Sequence, residues 1–264
     1  MAAVIPPMII PDWPRLPASV GALATTRRGG LSSGPYGDGS GRGGLNLGRH
    51  VGDVEATVLA NRALLAASLP AQPAWISQVH GVAVVDAASV GPDQPVRVAD
   101  ASYATTASVV CAVMTADCLP VLFADLDGKV VGAAHAGWRG LADGVLGATV
   151  AAMRAAGAGD ITAWLGPAIG KHRFEVGVAV MERFMMDAVE PQLVAAAFAA
   201  YPGRPGKYLA DMNALARLLL AHDGIDDVAG GNDCTASDAG RFYSYRRDGV
   251  TGRLASLIWR KAAQ

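Results

Sequence analysis

The sequence is poor in cysteine and in charge. Its 264 residues hold three cysteines, Cys111, Cys118 and Cys234, too sparse and odd a set for a disulfide framework. That fits a reducing compartment, and the expected location is cytoplasmic. Charged residues make up 17% and the formal net charge is -1, so the composition carries no electrostatic footprint for nucleic acid or an anionic membrane. No apolar run reaches the length of a membrane span, because the run at 109–123 is interrupted by Asp117, Cys118 and Pro120. The segment from Met1 to Pro7 has no basic stretch and places two prolines where a secretion signal needs helix, so no signal peptide is expected. Glycine-rich dinucleotide and phosphate-loop motifs are absent, as are repeats of fixed period.

Apolar material is abundant: hydrophobic residues make up 52%, enough for a large core. Strand candidates fall at 20–26, 75–79, 83–86, 99–105, 108–115, 120–125, 129–134, 161–165 and 252–259. The run at 108–115 is continuously apolar and reads as buried on both faces. Asp127-Gly128 signals a hairpin. A second hairpin is expected across Gly81-Val82, joining 75–79 to 83–86. Helical patterns cover 53–69 with Asp53 as N-cap, 140–156, 178–189, and a segment capped by Asp211. Residues 1–19 read as a proline-rich arm, 91–97 as a loop, and 32–44, rich in glycine and serine, as a mobile loop. Strands and helices mix without a regular βαβ beat. The expectation is an α+β fold, a single domain over residues 1–264 with mixed β-sheets packed against helices.

The chemistry concentrates where apolar strands stop. Thr115-Ala116-Asp117-Cys118-Leu119-Pro120 and His135-Ala136-Gly137-Trp138-Arg139-Gly140 flank the predicted hairpin, and Gln78-Val79-His80-Gly81 has the same form. Zinc takes imidazole nitrogen and thiolate sulfur, and a catalytic zinc keeps three protein ligands and one open position. His80, Cys118 and His135 would supply such a set. Taken one at a time, a lone cysteine is an ordinary buried hydrophobe and a lone histidine an ordinary hydrogen-bonder. Arg139, between glycines at a predicted helix start, is a candidate anion contact. Arg27, Arg246 and Arg247 lie in polar turns that the fold could bring to it. Asp117 could orient an imidazole, move a proton or hold a turn. His50, in a glycine-flanked loop, could face the pocket. His172 and His222 read as surface, and Cys111 as core.

At these motifs the chain resembles the YfiH/laccase-domain family, whose members are described as polyphenol oxidases and as purine nucleoside phosphorylases. The resemblance also runs through Thr26-Arg27, Gly29-Gly30, Gly34-Pro35-Tyr36, Asn46-Leu47-Gly48, His50-Val51-Gly52-Asp53, Asn61-Arg62, Leu165-Gly166-Pro167-Ala168-Ile169, Cys234-Thr235 and Ser244-Tyr245-Arg246-Arg247. It implies a YfiH-like fold with zinc at His80, Cys118 and His135, copper being the other metal to consider. It implies phosphorolysis of adenosine, inosine and S-methyl-5′-thioadenosine, with adenosine deaminase side activity. The implied partners are a purine nucleoside and phosphate. Cys118, Asp117 and Arg139 are the catalytic candidates, and Arg27, Asn46, His50, Gln78 and Arg246 the substrate contacts. The glycine-rich stretch at 37–44 is longer than the family pattern leads one to expect.

Three other readings stand beside this one. Cys118 with His135 could be the nucleophile and base of an amide hydrolase that edits peptidoglycan precursors. A copper-dependent phenol oxidase would need more copper ligands than five histidines readily supply. A non-enzymatic binding protein would turn nothing over.

Overall fold

The computed structural model describes residues 6–91 and 94–262. Residues 1–5 of the proline-rich arm and 92–93 of the loop at 91–97 lie outside that range.

Two mixed sheets stack face to face. The first runs Met8–Ile9, Val20–Thr25, Leu254–Arg260, Val110–Thr115, Pro73–Ala74 in spatial order. The second runs Val228–Gly230, Ile161–Leu165, Leu119–Asp125, Val131–Ala136, Ala101–Ala104, Val84–Asp86. Side chains alternate across each strand, so neighbouring residues serve different layers. Leu122 and Ala124 meet Val113 and Ile258 of the first sheet, while Val121 and Phe123 pack toward Leu146, Val150 and Met153 of the helix Val145–Ala155. The outer face of the first sheet is covered by Leu65 of the helix Glu55–Ala66 together with Leu45 and Leu47. The layers are therefore helix, sheet, sheet, helix, and the expected α+β class of mixed sheets and helices is the observed one. A third, small sheet of Glu175–Gly177, Lys207–Ala210 and Phe198–Ala200 sits with the helices Val178–Met186, Pro191–Ala196 and Met212–His222.

Several local expectations are met. Asp211 accepts from Ala214 N at 3.0 Å and caps its helix. The Asp127-Gly128 hairpin closes with Gly128 N donating to Asp125 O at 2.8 Å. Val110–Thr115 is buried along its whole length.

Others are corrected. Residues 75–79 and 83–86 do not pair as a hairpin: Val84–Asp86 pairs in parallel with Ala101–Tyr103 instead. The intervening turn wraps a buried carboxylate, that of Asp100, which takes its backbone N–H groups. The expected helix over 140–156 is two helices, Trp138–Ala142 and Val145–Ala155, divided at Gly144, whose φ of 95° no right-handed helix accommodates. Asp53 does not cap its helix. Its side chain takes Ser32 Oγ at 2.7 Å and Asn46 Nδ2 at 2.9 Å, and Val54 stands at the N-cap. The helix also stops at Ala66. The loop at 32–44 is pinned from within: Asp38 accepts from Ser40 N, Ser40 Oγ and Arg42 N, while Arg27 donates twice to Gly37 O.

Asn61 fastens that loop to the sheet layer. Fully buried, it accepts from Leu31 N at 2.8 Å and donates to Ser32 Oγ, Gly44 O and Asn46 O. Removing one such partner leaves buried groups unpaired. Asn61→Ala should therefore lower the unfolding free energy by about 2–4 kcal/mol in a urea titration.

Candidate metal centre

Three separate segments deliver the ligand candidates. Cys118 stands in the tight link between Val110–Thr115 and Leu119–Asp125, and His135 near the end of the returning strand Val131–Ala136. His80 comes from the turn before Val84–Asp86. Antiparallel pairing sets Pro120 opposite His135 and Leu119 opposite Ala136, so the hairpin register itself brings Cys118 beside His135. His80 and Asp117 are among the few non-glycine residues with positive φ, at 63° and 94°. Both ligand turns thus hold a backbone conformation disfavoured by Cβ, maintained by the hydrogen bonds around them.

The candidate ligand atoms of His80, Cys118 and His135 lie within 4.8 Å of one another, and Cys118 Sγ is 3.7 Å from His80 Nε2. A tetrahedral zinc with ordinary Zn–N and Zn–S bonds sets its ligands roughly 3.5 Å apart, so the set fits such an ion. The rings of His80 and His135 meet edge to face, 4.8 Å between centroids. His135 is buried, Cys118 half-buried and His80 exposed, which leaves the group open on the His80 side. Gly137 packs directly against His80 and Cys118. A Cβ there would stand 2.5 Å from His80 Cδ2 and 3.2 Å from Cys118 Sγ.

Asp100, which the sequence reading passed over, organises the group. Its side chain is fully buried, and His135 Nδ1 donates to Oδ1 at 2.8 Å. Its two oxygens also accept from Val79 N, His80 N and Gly81 N at 3.2, 2.9 and 2.7 Å. One carboxylate therefore fixes the ring of one histidine and the backbone of the other. Binding at Nδ1 turns His135 Nε2 toward Cys118, the arrangement in which a metal-ligating imidazole is fixed through its other nitrogen. The missed signal was an aspartate directly before the strand Ala101–Ala104.

The electrostatics favour a thiolate. Burial alone would raise the Cys118 thiol, but hydrogen bonds from His135 and His80 outweigh it and bring it down to about 6. Burial likewise would depress His135, yet its bonds to Asp100 and Cys118 lift it to about 9. Asp100 is held below the usual carboxylate range: burial opposes this, and His135 with the N–H groups of Gly81 and Val79 wins. The result is a buried row of alternating charge, carboxylate, imidazolium, thiolate. Replacing the imidazolium proton by a cation preserves that alternation.

The remaining candidates are distributed as follows. Asp117 accepts from Thr235 Oγ1 and Arg246 N, both at 2.6 Å, and its own carbonyl takes Ile169 N, so it ties the Cys118 turn to two other segments. Arg139 is exposed and stacks over the Trp138 ring at 4.5 Å. Gln78 bonds both backbone groups of Met114, at 2.7 and 2.8 Å. Asn46 spends its amide on Gly48, Asp53 and Arg253 N. Arg27 is buried against Gly37 O and Ala239 O and lies over the Tyr243 ring. Arg246 reaches Glu175 O at 2.9 Å and lies over Phe174. His50 is exposed; partial burial lowers its pKa, helped by the charges of Arg253 and Arg62. For Gln78, Asn46 and Arg27 these contacts are with the protein framework. His172 and His222 are exposed and Cys111 is buried, as expected.

Fold and site define a class: an α+β domain of stacked mixed sheets whose His-Cys-His group can hold a metal ion. The family model described as multi-copper polyphenol oxidoreductase laccase matches residues 21–261, and the chain belongs to this YfiH-containing laccase-like family. A Pseudomonas aeruginosa protein named as a purine nucleoside phosphorylase is 48% identical over 251 residues, covering 95% of this chain and 97% of that one. The Escherichia coli purine nucleoside phosphorylase YfiH is 49% identical over 254 residues, covering 96% and 98%. Among solved structures, a Neisseria meningitidis protein superposes with a TM-score of 0.86 at 46% identity, covering 97% and 99% of the two chains. Geobacillus stearothermophilus YlmD superposes with a TM-score of 0.80 at 32% identity, covering 94% of each. No helix among the described residues is long and apolar enough to cross a membrane.

Two outcomes are expected. Asp100→Asn should weaken metal retention about 10–100-fold in a chelator competition, since the amide cannot hold both histidines as the carboxylate does. In metal-free protein, alkylation of Cys118 read by peptide mass spectrometry should rise with pH through a midpoint near 6, because the thiolate is present above its pKa. His135→Ala should move that midpoint upward, and Cys111, pushed up to about 12 by burial, should stay unmodified.

Proposed function

We propose that this chain is a zinc-supported purine nucleoside phosphorylase acting on adenosine, inosine and S-methyl-5′-thioadenosine, with adenosine deamination as a side activity. The observation that carries the reading is the converging His80, Cys118 and His135 group, in a chain whose relatives bear the phosphorylase name over nearly their full length. Phosphorolysis joins a phosphate oxygen to ribose C1′ as the C1′–N9 bond breaks. The bonding pair leaves with N9, and the proton released by phosphate ends on the purine. The protein must hold phosphate against C1′ and stabilise the departing base. Zinc bound here would polarise an oxygen or activate a water, the latter being what deamination at C6 requires.

In this reading Cys118 serves as ligand rather than nucleophile. Asp117 acts through the turn it holds, and Arg139 and Arg246 remain as exposed cations near the two ligand-bearing turns. Zinc is preferred to copper because a single group of three histidine and cysteine ligands lies among the described residues, and oxidation of phenols by oxygen uses several copper sites. A phenol oxidase would consume oxygen with a phenol once loaded with copper. The cysteine hydrolase reading is favoured by one observation, the lowered Cys118 thiol beside a raised His135. Stoichiometric zinc bound through Cys118 would count against it.

Purified protein incubated with adenosine and phosphate should yield adenine and ribose 1-phosphate. His80→Ala and Cys118→Ala should each cut the rate by about 100-fold or more. Turnover undiminished in Cys118→Ala would sink the site assignment.

A further inference from the structure

We propose that the glycine-rich stretch at 37–44 completes a second binding site, one for a phosphate group, with Arg27, Arg28 and Arg42 as its donors. The site stands apart from the phosphorylase reading: no residue of the segments that carry His80, Cys118 and His135 lines it.

The three arginines line one cavity of about 550 Å³, whose wall also includes Asp38, Ser40 and Gly240. Successive main-chain carbonyls bring the first two together. Arg27 Nη1 donates to Ala239 O at 3.0 Å, and Arg28 Nε to the next carbonyl, Gly240 O, at 2.6 Å. The Arg27 backbone is fixed as well, its N–H on Arg241 O and its carbonyl taking Leu45 N, both at 2.8 Å. Arg27 also reaches the loop itself, through its two bonds to Gly37 O. Arg42 arrives on that loop. Its N–H donates to Asp38 Oδ1 at 3.1 Å, and Gly39 and Gly41, at φ of 82° and 83°, supply the left-handed turns between the two residues.

Two features leave these guanidinium groups available. Glycines stand where a side chain would crowd them: a Cβ on Gly39 would lie 3.7 Å from Arg27 Nη1, and one on Gly240 would lie 3.0 Å from Arg28 Nη2. The nearby acids are also already engaged. Asp38 gives its oxygens to Ser40 N, Ser40 Oγ and Arg42 N, and Asp238 pairs with Arg241. None of the three arginines has an ion-pair partner among the described residues, whereas the neighbouring Arg241 has two. Arg28 keeps both Nη groups free of protein acceptors among the described residues, and Arg42 its whole fork. Burial lowers Arg27 despite the pull of the acidic groups around it, so a further anion beside it is stabilising.

Three cations thus line the cavity against one carboxylate that is already bonded. A phosphate group suits them better than a carboxylate does. Its oxygens diverge and accept forks from separate segments, where a carboxylate is filled by one arginine. The volume falls within the roughly 300–1,000 Å³ of small-molecule sites, which leaves space for the group that a phosphate monoester carries. Inorganic phosphate and a monoester present the same oxygens, and the test separates them.

Whole protein is treated with phenylglyoxal in inorganic phosphate, in adenosine 5′-monophosphate, or in chloride alone at the same ionic strength, and its arginines are read by peptide mass spectrometry. Both phosphate probes should protect Arg28 and Arg42, and chloride should not. Arg42→Met, which keeps the apolar stem, should raise the concentration that half-protects Arg28 at least about fivefold, and Arg42→Lys should restore part of the loss. Metal content should stay as it was, as should the phosphate KM of phosphorolysis. Half-protection at a tenfold lower concentration of the monophosphate assigns a phosphorylated small molecule to the site; equal concentrations assign the phosphate group alone. Protection of neither arginine, equal protection by chloride, or unchanged half-protection in Arg42→Met overturns the site. A phosphate KM that rises together with the half-protection of Arg28 overturns its separateness from the reaction.

Discussion

The buried carboxylate of Asp100 is the point on which the site depends. It gathers His135 Nδ1 and three successive backbone N–H groups, those of Val79, His80 and Gly81. Without it, the His80 turn would lose the acceptor that three successive N–H groups share, and the His135 ring would have no fixed tautomer. The same constraint explains the local topology. A hairpin at Gly81-Val82 would have consumed these N–H groups in a strand ladder; the chain turns around the carboxylate instead and enters the second sheet in parallel. Site and sheet order are therefore one solution to one satisfiability problem.

Charge alternation extends that constraint outward. Asp100 sustains a protonated His135, which sustains the Cys118 thiolate, whose charge in turn reaches the half-buried Arg253. Each member would be unfavourable alone in a medium of low polarity and is tolerable because its neighbour has the opposite sign. The backbone adds to this preorganisation. Positive φ at His80 and Asp117 would relax in a free peptide, so the ligand turns are shaped by the folded protein and not by their own preference.

Much of this was legible in the sequence, for identifiable reasons. The continuously apolar run at 108–115 announced a buried strand and 120–125 a second, and Asp127-Gly128 announced the link that sets Cys118 beside His135. The abrupt change from apolar strand to polar turn marked all three ligand positions. What escaped was long-range in origin. Asp100 precedes an unremarkable strand, and its role appears only when residues 79–81 fold over it. Asp53 looked like a helix cap because capping is a local pattern; its oxygens serve Ser32 and Asn46, which no window around it contains. The break at Gly144 was hidden because apolar periodicity continues across it.

At Gly137 bare main chain walls the ligand group where it meets His80 and Cys118. No side chain fits there without displacing His80 or Cys118. That wall cannot be remodelled by ordinary substitution, and it removes one whole direction from evolutionary change. Diversification of what the group acts on is channelled elsewhere, to residues such as Val79 and Val82, which flank His80 in the chain and are exposed. A lineage could exchange those residues freely while its ligand geometry stayed fixed, so relatives that share this architecture closely could still differ in the molecules they accept.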